Sequence, residues 1–209
     1  MSLKEVTAPM IAPPRTALVV VDVQVDFLSP AGAAGRWISD FAALDAALRR
    51  VQALIAAARI ARVPVAFLRV VTRPETDTDA LKLLHARKGH SEASLAICRA
   101  GTSGADYHHV RPLPGDIEIE KPLYSGFVGT DLDARLRARG VDTLVLAGFT
   151  TDCCVDCTAR DAFHRNYNVF VVADACAAYE ADLHQGALAG LSRNCALLTD
   201  TRAVAEIWS

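Results

Sequence analysis

The sequence has no large excess of charge of either sign, and this absence excludes several classes of partner. Its 22 Lys and Arg residues nearly balance 24 Asp and Glu residues, and the formal net charge is -2. Such a balance provides no electrostatic surface for nucleic acid or for an anionic membrane. Long apolar runs are also missing, since no segment approaches the roughly 18 residues that a membrane-spanning helix needs. We therefore expect neither a nucleic acid nor a membrane as a partner.

The N-terminal segment MSLKEVTAPMIAPPR lacks the continuous apolar stretch of a secretory signal. The 6 cysteines are therefore expected in a reducing compartment, where buried, catalytic or metal-binding roles are commoner than disulfides. We accordingly predict a cytoplasmic location. With 209 residues, of which 52% are hydrophobic and 22% charged, the chain has the size and composition of one globular domain, predicted to span residues 1–209.

Short apolar segments rich in β-branched residues alternate with amphipathic helical segments along the chain. The predicted strands cover residues 16–22, 65–71, 116–120, 143–148, 169–174 and 196–199. The predicted helices cover residues 41–62, 131–139, 151–166, 181–191 and 201–208, while 72–115 is predicted to be a short helix with long loops. The alternation is typical of βαβ units. It predicts an α/β fold, doubly wound in three α/β/α layers, with a mainly parallel sheet of about six strands.

In such sheets, ligands bind beyond the carboxyl ends of the strands, and this rule selects the residues to consider. Asp22 ends the first predicted strand, and Lys121 follows the third. Taken alone, Asp22 is equally well interpreted as a turn-capping residue, and Lys121 as a surface lysine.

The segment GFTTDCCVDCTARDAF is the most informative one. A buried strand ends at Gly148, and a helix is predicted to begin with Cys153 and Cys154 in its first turn, with Thr151 or Asp152 as the N-cap. Unpaired N–H groups and the positive end of the helix dipole favour a thiolate there, and this predicts a lowered thiol pKa. The same N–H groups can stabilise an oxyanion.

Two simpler interpretations compete with a nucleophilic cysteine. Cysteine is a small apolar residue, and any of the six can serve as core packing. Alternatively, the CCVDC segment with His164 could bind zinc or act in redox chemistry. The spacing is not that of a closed structural zinc site, since no second Cys or His pair follows at the usual interval.

Three separated blocks of the chain resemble the isochorismatase-like cysteine hydrolases: TALVVVDVQVDF, EKPLYSGFVGTDLDARLRARGVDTLVLAGFTTDCCVDCTARDAF and NVFVVADACAAY. The resemblance implies a catalytic triad of Asp22, Lys121 and Cys154, the cysteine being chosen by its T-x-x-C-V-x-x-T context. It also implies a cis peptide bond between Phe149 and Thr150. The N–H groups of Thr150 and Cys154 would then form the oxyanion hole.

The resemblance further implies a metal-independent hydrolase that cleaves a C–N bond of a small amide, ureido or carbamoyl compound through a thioester. We expect no metal and no cofactor, because the region LRVVTRPETDTD lacks the D-x-H cluster of nicotinamidases. The segment beginning at KPLYSGF is most similar to the ureidoacrylate and biuret branch. A vinyl-ether hydrolase of the isochorismatase type is the alternative enzyme, and a redox or zinc-binding domain is the non-catalytic one. Related proteins are commonly homodimers or homotetramers.

The walls of the substrate pocket are less well marked in the sequence. Phe27, Tyr124 and Phe127 are candidates for its apolar lining, and Gln24 for orienting Asp22 or touching substrate. Two further candidates, Arg69 and Arg73, could pair with a substrate carboxylate.

Overall fold

The structure is a computed structural model, and it describes residues 6–38 and 40–209. The strands are β1 Thr16–Val21, β2 Val65–Val70, β3 Ile117–Lys121, β4 Thr143–Phe149, β5 Asn168–Ala177 and β6 Leu197–Thr199. The α-helices are α1 Val25–Leu28, α2 Ala42–Ile60, α3 Asp79–Arg87, α4 Leu132–Arg137, α5 Asp156–His164, α6 Ala181–Asn194 and α7 Thr201–Ile207. The segment 72–115, which is predicted to form a short helix with long loops, contains α3 and, after it, the 3-10 turns Glu92–Leu95 and Ser103–Ala105.

The six strands form one sheet in the order β3-β2-β1-β4-β5-β6, and neighbouring strands run parallel. This is the doubly wound order, so the predicted fold class is confirmed. The order reverses between β1 and β4. At such a switch point the connections leave in opposite directions and open a crevice at the carboxyl ends of the strands.

Both faces of the sheet are buried, which explains why its strands are continuous apolar runs rather than alternating ones. Every residue of β1 is buried. Ala17, Val19 and Val21 belong to the core beneath α4, α5 and α6, whereas Leu18 and Val20 belong to the core beneath α2 and α7. Burying a side chain of this size contributes about 1.5–3 kcal/mol. The sheet is therefore the most strongly packed part of the molecule.

One predicted helix differs in its first turn. The segment predicted as a helix over 151–166 begins as the π-helical turn Thr151–Val155 and continues as α5. The N–H of Val155 donates to the carbonyl of Thr150 five residues earlier, at 3.1 Å. Sequence periodicity cannot distinguish this wide turn from an α-helical one over so few residues, and π-turns are frequent at functional sites.

Among the residues that the structure describes, no helix combines the length and the apolar character needed to cross a bilayer.

Candidate active site

The carboxyl ends of three strands bring Asp22, Lys121 and Cys154 together. Asp22 follows β1, Lys121 is the last residue of β3, and Cys154 lies in the π-helical turn after β4. Asp22 has a φ of 49°, in the left-handed region that aspartate tolerates better than most residues. This conformation turns the chain out of β1. Thr150, the other proposed oxyanion-hole residue, joins β4 to the turn, and the Phe149–Thr150 peptide bond is cis.

Gly148 allows β1 and β4 to approach closely at the site. It pairs with Val21 in the register of the two strands, and its φ is 128°. A Cβ at this position would lie 2.1 Å from the carbonyl oxygen of Val21. Only glycine therefore fits where the chain leaves β4, and its absence of a side chain keeps the π-helical turn close to Asp22.

Asp22 and Lys121 form a fully buried ion pair, with both side chains 0% exposed. Lys121 Nζ donates to Asp22 Oδ2 at 2.7 Å and to the carbonyl of Leu123 at 2.9 Å. Asp22 Oδ1 has no hydrogen-bond partner among the described residues. The Cys154 thiol nevertheless lies close enough to this carboxyl group to lower its pKa. The free acceptor oxygen is thus available for the thiol proton.

Burial and charge act in opposite directions on this pair. Burial raises the pKa of Asp22 above its ordinary value, although Lys121 and Cys154 partly offset that effect. For Lys121, burial disfavours the charged form, but the Asp22 carboxylate and the Cys154 sulfur outweigh it, and the pKa is raised. The arrangement therefore keeps the lysine protonated and makes the carboxylate a stronger base than an exposed aspartate.

The expected lowering of the thiol pKa is found at Cys153, where the hydrogen bond with Cys154 causes it, but it is wrong for Cys154. Its pKa is raised well above the ordinary value by the hydrogen bond with Cys153, by burial and by the charge of Asp22, while Lys121 lowers it. The first-turn position does not overcome these three effects, because Asp22 already places a negative charge beside the sulfur. These effects favour the protonated form of Cys154, so an attack by its sulfur would require a base.

The predicted N-cap also differs. Neither Thr151 nor Asp152 caps the helix, and the flanking residue is Thr150, without a side-chain cap bond. Thr151 Oγ1 instead lies 2.8 Å from Nδ1 of His184 on α6. This contact ties the π-helical turn to α6.

A cavity of about 700 Å³ opens above the triad. Thr150, Cys153 and Cys154 lie on its wall, and so do Phe27 and Tyr124, two of the predicted lining residues. Cys154 is only 6% exposed, so a reacting group must enter the cavity to reach the sulfur.

Two predicted substrate-binding residues lie elsewhere. Phe127 is 4% exposed in the core, where its ring packs against Tyr167 and lies beneath Arg165, so its assignment to the pocket is wrong. Gln24 is fully buried and also does not line the cavity. Its amide donates to the carbonyls of Val70 and Ala105 and accepts from the N–H of Val70, and this fixes the backbone beside Asp22.

The two arginines considered for a substrate carboxylate are also engaged elsewhere. Arg69 and Arg73 both bind Glu120, at 2.6 and 3.0 Å, outside the cavity. A side chain that the sequence analysis missed is Asp26. Its carboxylate accepts from the N–H of Cys98 at 2.6 Å and from that of Ala33 at 2.9 Å, holding the loops on either side of the cavity. The position of Asp26 two residues after Gln24 was the available sequence signal for a role near the site. Its hydrogen-bond partners could not be predicted, because Cys98 is distant in the sequence.

Other cavity residues were not predicted, because they come from the irregular segment 72–115 and from the loops that precede α2 and follow β5. They include Trp37, Leu81, His85, Leu95, Ile97 and Tyr179. Within residues 6–38 and 40–209, no group of three or more His, Cys, Asp or Glu side chains is arranged to hold a metal ion.

Comparison with known proteins agrees with this geometry. Residues 16–203 match the family model described as the isochorismatase domain. The chain is 37% identical over 204 residues to the ureidoacrylate amidohydrolase RutB of Methylobacterium radiotolerans, covering 91% of this chain and 78% of that relative. Among solved structures, a cysteine hydrolase from Pseudomonas syringae pv. phaseolicola superposes with a TM-score of 0.82 at 31% identity, covering 95% of this chain and 94% of the other. The N-carbamoylsarcosine amidase of Thermoplasma acidophilum gives a TM-score of 0.71 at 30% identity, covering 90% and 96%.

Proposed function

The chain belongs to the isochorismatase family and is a hydrolase acting on non-peptide C–N bonds, and from that premise we propose that Cys154, Asp22 and Lys121 carry out the reaction. The substrate is a small amide, ureido or carbamoyl compound, as the names of the relatives indicate. The single observation that supports the triad best is the buried Asp22–Lys121 pair, 2.7 Å apart, beside a cavity-lining cysteine.

The first half of the proposed reaction forms a thioester. Asp22 takes the proton from the Cys154 thiol as the sulfur attacks the carbonyl carbon. The N–H groups of Thr150 and Cys154 hold the resulting oxyanion, and one such donor is typically worth about 2.7–4 kcal/mol. Asp22 then gives its proton to the nitrogen, the C–N bond breaks, and ammonia or an amine leaves. Lys121 stays protonated and compensates the negative charge that remains in the buried site.

The second half regenerates the thiol. Water enters the position that the amine has left, and Asp22 removes a proton from it as it attacks the thioester carbonyl. Breaking the C–S bond returns the proton to Cys154 and releases the acid. One carboxylate thus serves as base and acid in turn, and a pKa raised by burial suits both tasks better than that of an exposed aspartate.

Ammonia release and mass spectrometry together test this proposal. Cys154→Ala should lose at least about 1000-fold in kcat, since it removes the nucleophile itself. The wild type, quenched during turnover, should gain the mass of the acyl group on the peptide that contains Cys154. Cys157→Ala is the matched control, because it removes a thiol one turn further along the helix and outside the cavity.

Near-wild-type turnover by Cys154→Ala would contradict the assignment. Release of pyruvate from a vinyl ether, rather than ammonia from an amide, would support the isochorismatase-type alternative. A homodimer or homotetramer, which the family resemblance supports, and a cytoplasmic location belong to the same proposal.

A further inference from the structure

The wall of the active-site cavity is apolar over most of its extent. Its aromatic and aliphatic side chains include Phe27, Trp37, Leu95, Ile97 and Tyr179. Its polar groups include Thr150 and the two adjacent cysteines, together with several hydroxyls and two imidazoles. A mostly apolar wall with a small number of polar groups is typical of a site that binds a ligand by its hydrophobic part.

No lysine, arginine, aspartate or glutamate lines this cavity within the described residues. Lys121 lies behind the wall, bound to Asp22 and to the Leu123 carbonyl. Burial, followed by the charges of His90 and Lys88, lowers the pKa of His85, and this disfavours its charged form. Within the described residues, the imidazoles of His85 and His90 are therefore the lining groups that can carry a positive charge.

Three arginines that could bind a carboxylate are already paired with acidic side chains. Arg69 and Arg73 bind Glu120, and Arg99 makes two hydrogen bonds with Asp77, at 2.8 and 3.2 Å. A substrate carboxylate entering the cavity would lose its hydration, and above the ordinary histidine range it would gain no ion pair from the described lining residues. Both effects disfavour an anionic ligand.

We propose that the substrate is a primary carboxamide whose acyl group is uncharged, bulky and apolar, rather than a carboxylate-bearing ureido acid. The inference rests on the proposed function, since it assigns the reacting carbonyl to Cys154. A cavity of about 700 Å³ is in the range that encloses drug-sized ligands, and this supports an acyl group larger than that of a simple ureido acid. The amide end lies at Thr150 and Cys154, and the acyl group contacts the wall formed by Trp37, Leu81 and Leu95.

Matched substrates that differ in charge test the proposal. Hexanamide is compared with adipic acid monoamide, and 4-methylbenzamide with 4-carboxybenzamide, by ammonia release at about pH 8, above the ordinary histidine range. The neutral member of each pair should have a kcat/KM at least about tenfold higher. Ureidoacrylate, the substrate in the name of the relatives, should react more slowly than either neutral amide.

A variant that adds the missing charge tests the cause. Leu81 lines the cavity on α3, so Leu81→Arg should reduce the preference for the neutral amides at least about threefold by improving the carboxylates. Leu84→Arg is the control, because Leu84 is on the same helix, is 45% exposed and lies outside the cavity. Equal changes in the two variants would show a general charge effect and overturn the proposed role of the wall.

Binding to Cys154→Ala, measured by calorimetry, separates failure of this inference from failure of the proposed function. If Cys154→Ala binds the neutral amides more tightly than the carboxylates but the wild type hydrolyses neither, the apolar binding site is supported and the catalytic role of the triad is overturned. Turnover that favours the carboxylates would retain the proposed function and overturn this inference. The absence of both binding and turnover for all four compounds would overturn it as well.

Discussion

The two sides of the active-site cavity are built from different kinds of structure. One side is the carboxyl end of the sheet, where Asp22, Lys121 and Cys154 are nearly or fully buried. The other side comes largely from residues 72–115, whose helix α3 contains no buried residue at all. The chemistry thus lies on the best-packed part of the molecule, and the groups that contact the body of a substrate lie on the least packed part.

The two sides of the cavity therefore have different structural requirements. A nucleophile and its base must be held within a fraction of an ångström, and strands buried on both faces provide that rigidity. An apolar wall needs only the correct size and polarity, which an exposed helix with a few inward side chains can supply. We therefore infer that substitutions in the sheet end change whether the enzyme works, whereas substitutions in α3 change what it works on.

The largest effect is expected where the sheet end loses a charge. Lys121→Met leaves Asp22 buried without a partner, and breaking a pair of this kind typically costs about 3–5 kcal/mol of unfolding free energy. Activity should also be lost. Chemical denaturation measures the first effect and ammonia release the second. Arg202→Met is the control, because the Arg202–Glu206 pair is exposed. The melting temperature of the Arg202→Met protein should equal that of the wild type.

Adding Asp22→Asn to Lys121→Met should recover part of the lost stability, because the uncompensated charge is then gone. Activity should stay absent, since the base is also gone. A Lys121→Met protein as stable as the wild type would mean that the pair does not contribute to the rigidity of the sheet end.

The pH dependence should distinguish the buried carboxyl group of Asp22 from the exposed carboxyl group of Glu120 on β3 by sign. Burial raises the pKa of Asp22 above the ordinary aspartate value of about 4. As the pH is lowered, kcat/KM should therefore begin to decline before pH 4 is reached, and below the raised pKa it should decline about tenfold per pH unit. Stability should change in the opposite direction. The unfolded chain ionises Asp22 first, so the wild type should lose stability relative to Asp22→Asn as pH rises from the unfolded pKa to the folded one.

Glu120 is the control of opposite sign. The hydrogen bond from Arg73 lowers its pKa, with Arg69 adding to the effect. The wild type should therefore lose stability relative to Glu120→Gln as pH falls through the lowered pKa of the folded state. Parallel curves for the two variants would contradict the raised pKa of the buried carboxyl group.

The same contrast explains what could be predicted from the sequence. Strands buried on both faces are marked by continuous apolar runs, and polar residues that end them stand out, as Asp22 and Lys121 do. Which aromatic residue faces the cavity is decided by contacts distant in sequence. Phe127 packs against Tyr167 instead, and no local pattern distinguishes it from Tyr124, which lines the cavity.

The direction of the Cys154 pKa shift was unpredictable for a related reason. The position in a first helical turn is a local feature, and it favours a thiolate. The opposing effects come from the neighbouring Cys153 thiol, from burial and from Asp22, which is 132 residues away in the chain (154 minus 22). A local motif selects the proposed nucleophile, but the balance of charges around it is a property of the assembled sheet end.

The smallest expected effect compares two helix caps, one in each region. Thr78 Oγ1 accepts from the N–H of Leu81 at the start of α3, and Asp200 Oδ1 accepts from that of Ala203 at the start of α7. Either cap is worth about 0.5–2 kcal/mol, so Thr78→Ala and Asp200→Ala remove similar local interactions. Since α7 buries Thr201 and Val204, the loss at Asp200 should lower the melting temperature of the whole chain.

Because no residue of α3 is fully buried, loss of its cap should instead remain local. Hydrogen exchange should accelerate in residues 79–87 alone, with an unchanged melting temperature and a raised KM for neutral amides. If Thr78→Ala lowers the melting temperature as much as Asp200→Ala does, α3 unfolds together with the sheet. The cavity would then have two equally rigid sides, and the contrast between a well-packed sheet end and a loosely packed wall would fail.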